Sequence, residues 1–483
     1  MKSENLIIFL SDEHNKRMLG VAGHSHVKTP NMDKLAFEGT YFENAYCNSP
    51  ICVPSRAILA TGRYNAEIGY WDNANPYDGK IPSWGHRAAE GNCDAVSIGK
   101  LHFIDDQAPT GFTEQINPLN VVGGVGDLLG LIRNELPVRK GAANMAKDVG
   151  SGETTYSNYD KQIAEDAKNW ILKRKYSDKP WVLFVSFVCP HFPLIAPKEF
   201  YNLYPEEKMP WPMLHDKNKR SDHPYYRAMR ECMNYDDYFD EDKIRKATSA
   251  YFGLCTFLDN NIGIVLKALE ETEFKKNTNI IYTSDHGDAL GMRGMWGKST
   301  MFEESAGIPM IIKGPNVPKG KKIKTPVSLV DIFPTVVDSL KLKKNIKDSD
   351  LPGKSLLQIS NEQDEYSRVV LSEYHAAASP VGAFMLRKGK FKYTYFAEDY
   401  PPLLFDLEND EFEENDLSLK PEYQSIMEEF YNDLTKICNP EAVNMRAKRE
   451  QQAKIDIHGG EKKIQERGDF GYSPAPGQKA KFD

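Results

Sequence analysis

The chain has 483 residues, 40% hydrophobic and 27% charged, enough for one large core and a smaller second one. Its net charge of −8 argues against general nucleic-acid binding, which favours a basic surface. Seven scattered cysteines without paired metal spacing exclude a disulfide framework as the default and point to a reducing, cytoplasmic setting. The apolar run near the N-terminus is too short for a secretory leader, and no stretch reads as a membrane span.

Asn5 to Ser11 is a short continuous apolar run, as expected for a buried parallel strand. It ends at Asp12-Glu13-His14, and open α/β sheets hold their ligands outside the carboxyl ends of strands, so Asp12 falls where chemistry is expected. Thr29 to Ala36 begins a helix that leads towards the segment Asn48 to Arg63. That segment reads as a loop turning into a short helix, with Pro54 in the first turn and Gly62 just past the end. Cys52 then sits near free N–H groups and the positive end of the helix dipole, a natural anion site. Arg56, one turn in, adds a fixed cation able to bond to an oxyanion.

Asp94 to Ile98 is a second short strand, ending at Gly99-Lys100-Leu101-His102. In extended chain Lys100 and His102 share one face. Residues 115–155, rich in Gly and Asn, read as an irregular insertion near the site. Tyr159 to Lys175 is helix-like, and Trp181 to Val188 is another buried strand, followed by Cys189-Pro190-His191-Phe192-Pro193. A histidine on a proline-braced loop is held stiffly, as acid–base work requires. Residues 199–240 read as a long surface excursion that could shape a substrate site.

Glu241 to Glu271 carries apolar residues at helical spacing and reads as a long packed helix. Asn279 to Thr283 is a strand ending at Ser284-Asp285-His286-Gly287-Asp288. A carboxylate and an imidazole there can share a cation with Asp12 from a neighbouring strand, and an oxygen-rich site favours Ca²⁺, Mg²⁺ or Mn²⁺. Beyond residues 344–364 the pattern changes to short alternating runs and one helix around Glu422 to Ile437. The chain therefore divides into an α/β domain over 1–360, an α+β subdomain over 361–440, and a polar tail over 441–483. The tail is expected to be disordered or to pack on another subunit of a homo-oligomer.

Cys52-Val53-Pro54-Ser55-Arg56 with Ala60-Thr61-Gly62-Arg63 resembles the signature of the type I sulfatases, in the alkaline-phosphatase-like superfamily. Gly99-Lys100-Leu101-His102, the Pro-His-x-Pro run at His191, Asp285-His286-Gly287-Asp288 and Lys298 match further segments of that family, and Asp105 to Phe112 is similar to its choline-sulfatase-like branch. The resemblance implies a large mixed sheet sandwiched between helices, with a smaller C-terminal antiparallel sheet and helix. It implies hydrolysis of a sulfate ester, with Cys52 converted to formylglycine by a formylglycine-generating enzyme. It also implies a metal held by Asp12, Glu13, residue 52, Asp285 and His286, with Ca²⁺ ahead of Mn²⁺ or Mg²⁺. Glu13 departs from the family's usual Asp-Asp pair, and His286 stands where many members have Asn. Arg56, Lys100 and Lys298 would then stabilise the sulfuryl oxygens, and His102 or His191 would protonate the leaving alcohol. The expected substrate is a small sulfated organic molecule or a sulfated sugar. The rival readings are a phosphonate monoester or phosphodiester hydrolase and a non-catalytic anion-binding module.

Overall fold

The apolar runs of the first 330 residues lie side by side in one sheet. The computed structural model describes residues 4–175, 179–469, 471–480 and 482. The eight strands of this sheet are β1 (Asn5–Asp12), β2 (Thr40–Phe42), β3 (Asp94–Lys100), β4 (Glu114–Leu119), β5 (Trp181–Pro190), β6 (Thr278–Ser284), β7 (Met310–Lys313) and β8 (Lys321–Ile323). Their order across the sheet is β8-β2-β7-β6-β1-β5-β3-β4. Only β7 runs antiparallel to its neighbours, β2 and β6. A buried parallel strand must be apolar on both faces, and β1 shows why. Ile7 and Phe9 pack with helices α3 (Thr155–Lys173) and α5 (Glu241–Glu270) on one side. Leu6, Ile8 and Leu10 pack with α2 (Cys52–Thr61) and α6 (Ile332–Ser339) on the other. Helix α1 (Pro30–Glu38) lies on the α5 side.

The expected second layer of strands is a four-stranded antiparallel sheet, β9 (Val370–Tyr374), β10 (Ala383–Lys388), β11 (Phe391–Phe396) and β12 (Leu403–Asp406). Helix α7 (Gln424–Ile437) covers it through Met427, Phe430 and Leu434.

Three stretches differ from the sequence expectation. Within residues 115–155, Glu114–Leu119 forms the edge strand of the large sheet, and Leu128 to Ile132 joins a buried cluster. Within residues 199–240, α4 (Pro224–Met233) is a core helix, because Tyr225, Tyr226, Met229 and Cys232 recur on one helical face and are buried. Past Cys438, α8 (Pro440–Ile457) and α9 (Glu461–Arg467) fold onto their own chain, burying Val443, Ala447, Ile455 and Ile464. Their apolar positions are sparse among charges, which is why the segment reads as a polar tail. Helix α5 has the length and apolar content to span a membrane, but most of that apolar window is buried in the core.

Asp160 of α3 ties this helix layer to the sheet. Its two carboxylate oxygens each accept a backbone N–H, from Val188 and Cys189, both at 2.8 Å. All three residues are buried. Asp160→Ala would leave two buried donors unsatisfied, and a loss of about 2–4 kcal/mol is expected from denaturant unfolding. Asp160→Asn, which keeps one acceptor, should lose less.

Candidate active site

Four adjacent strands deliver the chemistry from their carboxyl ends. In sheet order, β6 leads to Asp285 and His286, β1 to Asp12 and Glu13, β5 to His191, and β3 to Lys100 and His102. The register pairs Ser11 with Ser284 and Asp12 with Pro190, so these ends lie level. Helix α2 lies over them with Cys52 as its first residue, and Gly62 closes it in the left-handed conformation with φ of 68°. All ten residues of α2 are buried.

Cys52, Asp12, Asp285 and His286 form one buried group whose potential ligand atoms lie within 4.8 Å of one another. The Cys52 Sγ is 3.6 Å from Asp12 Oδ1 and 3.2 Å from His286 Nε2. His286 Nδ1 is 3.0 Å from the Gly287 carbonyl, which can only accept, so Nδ1 carries the proton. Nε2 faces the group, and the tautomer protonated at Nδ1 is the one a metal ligand needs. Two carboxylates and an imidazole held this way fit a divalent cation.

Arg56 does not line the cavity that Cys52 faces. It is 2% exposed, and its guanidinium points back under the cluster. Nε donates to Asp285 Oδ2 at 2.8 Å, Nη2 to Asp12 Oδ2 at 2.9 Å, and Nη1 to the Lys100 carbonyl and Ser186 Oγ. Its planar fork is thus engaged in bridging two carboxylates. Helical spacing gives the distance from Cys52 but not the face on which Arg56 emerges, so this inward direction is not legible from sequence.

Lys100 Nζ lies 2.6 Å from Asp12 Oδ2. Burial alone would raise the Asp12 carboxyl, but Lys100, His191 and Arg56 outweigh it and hold the group well below the usual range. Glu13 stands beside the four-membered group and not in it, forming a second buried set with Asp12 and His191. Its carboxyl is pushed up to about 8 by burial, opposed by Lys298 and assisted by Asp288.

Lys298 Nζ lies 2.7 Å from His191 Nε2 and 3.4 Å from Glu13 Oε2. His191 Nδ1 donates to the Phe192 carbonyl at 2.6 Å, so Nε2 accepts from Lys298. Asp288 Oδ1 accepts from the Gly297 N–H and so fixes the Lys298 loop. His102 differs from His191, because neither of its ring nitrogens has a hydrogen-bond partner among the described residues although both are buried. It reaches the cavity through a left-handed backbone, φ 54°, and not through the extended alternation expected from sequence. Burial, with Lys100 and Arg56 nearby, holds it well below the usual imidazole range, so it is neutral.

Cys52, Lys100, His102, His191 and Lys298 face one cavity of about 120 Å³. Its outer wall is made by residues that sequence reasoning missed, including Asn73, Tyr156, Tyr235 and Tyr472. Asn73 accepts the Val53 N–H at 3.1 Å and so holds the first turn of α2. They come from four separate segments, and none sits in a motif that spacing could flag.

The sulfatase family matches residues 4–342, and the family described as N-sulphoglucosamine sulphohydrolase, C-terminal, matches residues 291–439. The choline-sulfatase of Rhizobium meliloti is 31% identical over 428 residues, covering 86% of this chain and 83% of that protein. Among solved structures, the phosphonate monoester hydrolase of Agrobacterium radiobacter is similar with a TM-score of 0.71 at 21% identity, covering 90% of this chain and 95% of that one. A protein solved with its substrate D-glucosamine-2-N,6-O-disulfate is similar with the same TM-score, 0.71, at 21% identity, covering 96% of this chain and 100% of that one.

If Arg56 holds the carboxylates and does not bind an anion, its loss is felt as stability and cation content. Arg56→Met should destabilise by about 3–5 kcal/mol, since it leaves buried carboxylates short of a counter-charge. Elemental analysis should show less bound divalent cation than in the intact chain, with Arg56→Lys intermediate in both measurements.

Proposed function

The chain belongs to the sulfatase family and is a sulfuric ester hydrolase, and on that premise we propose how its residues divide the work. The observation that carries the reading is the single small cavity shared by Cys52, two lysines and two histidines above the paired carboxylates. The products are an alcohol and inorganic sulfate.

Residue 52 acts as formylglycine, made from the cysteine by a formylglycine-generating enzyme. In that form it would supply a hydrated aldehyde, with one hydroxyl as the nucleophile towards sulfur, displacing the alcohol, and the other to re-form the aldehyde and so expel inorganic sulfate. Burial first, and Asp12 second, push the Cys52 thiol up to about 11. Asp12, Asp285, His286 and the residue 52 side chain would hold one divalent cation, which when bound polarises the sulfate and acidifies the attacking group. Carboxylate oxygens favour Ca²⁺ or Mg²⁺, and the imidazole makes Mn²⁺ acceptable.

The remaining steps belong to the chain's own side chains. Lys100 and Lys298 present ammonium groups to the sulfuryl oxygens, where negative charge is concentrated. His191 accepts from Lys298 and fixes its direction, so it is a positioning residue in this arrangement. His102, neutral and with ring nitrogens unpartnered among the described residues, is the group free to take up the proton released as the nucleophile forms and, as imidazolium, to give it to the leaving alcohol oxygen.

A sulfate monoester offers three terminal oxygens to these donors, whereas a phosphonate monoester offers two and a second substituent. The phosphonate hydrolase shares the fold at 21% identity, while the choline-sulfatase is 31% identical along most of both chains, so the sulfate reading stands ahead. The substrate class is a small organic sulfate ester or a sulfated sugar.

Mass spectrometry of the peptide containing residue 52, from cells with a formylglycine-generating enzyme, should show the thiol replaced by an aldehyde. Cys52→Ala should release no sulfate while melting as a folded protein; sulfate release by that variant would remove the nucleophile assignment.

His102→Ala should lower kcat for an alkyl sulfate by about 10²–10⁴-fold, the usual range for losing acid–base assistance. An aryl sulfate with a nitrophenolate leaving group, which needs little protonation, should lose far less. Equal losses for both esters would assign the proton transfer elsewhere.

A further inference from the structure

The C-terminal segment after α9 returns across the catalytic cavity. Asp469, buried, accepts from Arg139 through both carboxylate oxygens, Oδ1 from Nη2 at 2.6 Å and Oδ2 from Nε at 3.1 Å. Its Oδ2 also accepts the Gly141 N–H at 3.0 Å. Arg139 is in turn paired with Asp127 at 3.0 Å, and both residues line the catalytic cavity. Farther along, Tyr156 donates its hydroxyl to the Ser473 carbonyl, and Ser473 and Ala475 are buried. The segment is therefore pinned on both sides of Tyr472.

Between these pins the Tyr472 ring stands 5.2 Å from the Tyr156 ring and 6.0 Å from the Phe192 ring, centroid to centroid. Phe192 stacks on His191 at 4.1 Å, which places the aromatic group directly beside the reacting centre. Tyr472, Gly471 and Phe192 also line a second cavity, of about 360 Å³, whose other walls include Met145, Lys147 and Asp148. The two cavities thus share one thin wall. The catalytic side alone, at about 120 Å³, lies below the ~300 Å³ at which pockets begin to enclose drug-sized ligands.

We propose that Tyr472 is a specificity-determining residue, whose ring partitions the catalytic cavity from the neighbouring one and restricts the enzyme to sulfate esters with a compact alcohol part. This rests on the sulfatase reading and deepens it. Phe192 and Gly471 complete the shared wall, but the Tyr472 ring is its largest partly exposed part, held by the Asp469 side chain before it and the Ser473 carbonyl after it, so truncating it opens the wall at the cost of its packing on the edge of one core cluster. The joined space would admit a bulkier alcohol, and the aromatic pair Tyr156 and Phe192 would remain to pack against it.

The test compares ethyl sulfate with cyclohexylmethyl sulfate, two primary alkyl esters of similar leaving-group acidity, by sulfate release. The intact chain should favour ethyl sulfate in kcat/KM by about tenfold or more. Tyr472→Ala should reduce that preference by about tenfold, whereas Tyr472→Trp, which keeps a wall, should retain it. Asp469→Asn, which loosens the same segment at its anchor and touches no ester, should shift the preference in the direction of Tyr472→Ala. Thermal melting identifies the folded variants. A preference within twofold of the intact chain's in folded Tyr472→Ala or, if that variant does not fold, in Asp469→Asn overturns the proposal, as does an intact chain that prefers the bulkier ester. Failure of the sulfatase reading looks different, because the intact, matured chain would then release sulfate from neither ester nor from an aryl sulfate.

Discussion

Asp12 and Asp285 come from neighbouring parallel strands and are both fully buried, each with an oxygen near the same imidazole. Two like charges at that range in a low-dielectric interior repel strongly, and each also loses its hydration. The guanidinium of Arg56 lies between them, bonded to one oxygen of each, and Lys100 adds a second cation on Asp12. The other oxygen of each carboxylate is left facing Cys52 and His286. One buried arginine thus allows two carboxylates to be presented together on the side where a cation and a sulfate would sit.

The same contact positions α2. Cys52 and Arg56 are one turn apart on a single helix, so fixing the guanidinium under the carboxylates also fixes residue 52 above them. The small sheet braces this helix from outside. Asn48, just before it, donates to the Leu371 carbonyl and accepts the Val330 N–H, and its own carbonyl accepts the Glu373 N–H. Farther along that sheet, Lys392 pairs with buried Glu303 at 3.0 Å and Glu413 at 2.7 Å. Glu303 also pairs with Lys16, and Lys16, Lys392 and Arg387 overcome burial to hold its carboxyl well below the usual range. Glu303 opens the short helix that follows the Lys298 loop, so the second layer supports the pocket lysine as well as the nucleophile.

Residues beyond 440 reach the site by two further routes. Gln451 of α8 donates to Asp72 Oδ2 and the His375 carbonyl and accepts from Arg133. Asp72 adjoins Asn73, the residue that holds the first turn of α2. The second route is the pinned segment around Tyr472, which forms the outer wall of the cavity. The last part of the chain therefore joins the site after the sheet that carries the chemistry is complete.

From the sequence alone, the four strands that carry the chemistry, their order of appearance and the residues at their ends are legible, because each depends on local facts. A buried parallel strand needs a continuous apolar run, as at Leu6 to Leu10 and Trp181 to Val188, and function gathers at its carboxyl end. Asp12, Lys100, His102, His191, Asp285, His286 and Lys298 stand at or just past such ends or in loops with a recognisable motif. Only the tertiary structure decided which way each side chain turns and which distant segments meet. Arg56 turns inward to the carboxylates, Glu13 faces Lys298, and His102 arrives through a left-handed residue. The cavity's outer wall, from Asn73 to Tyr472, is assembled from segments hundreds of residues apart, and long-range contact leaves no period or spacing in any one of them.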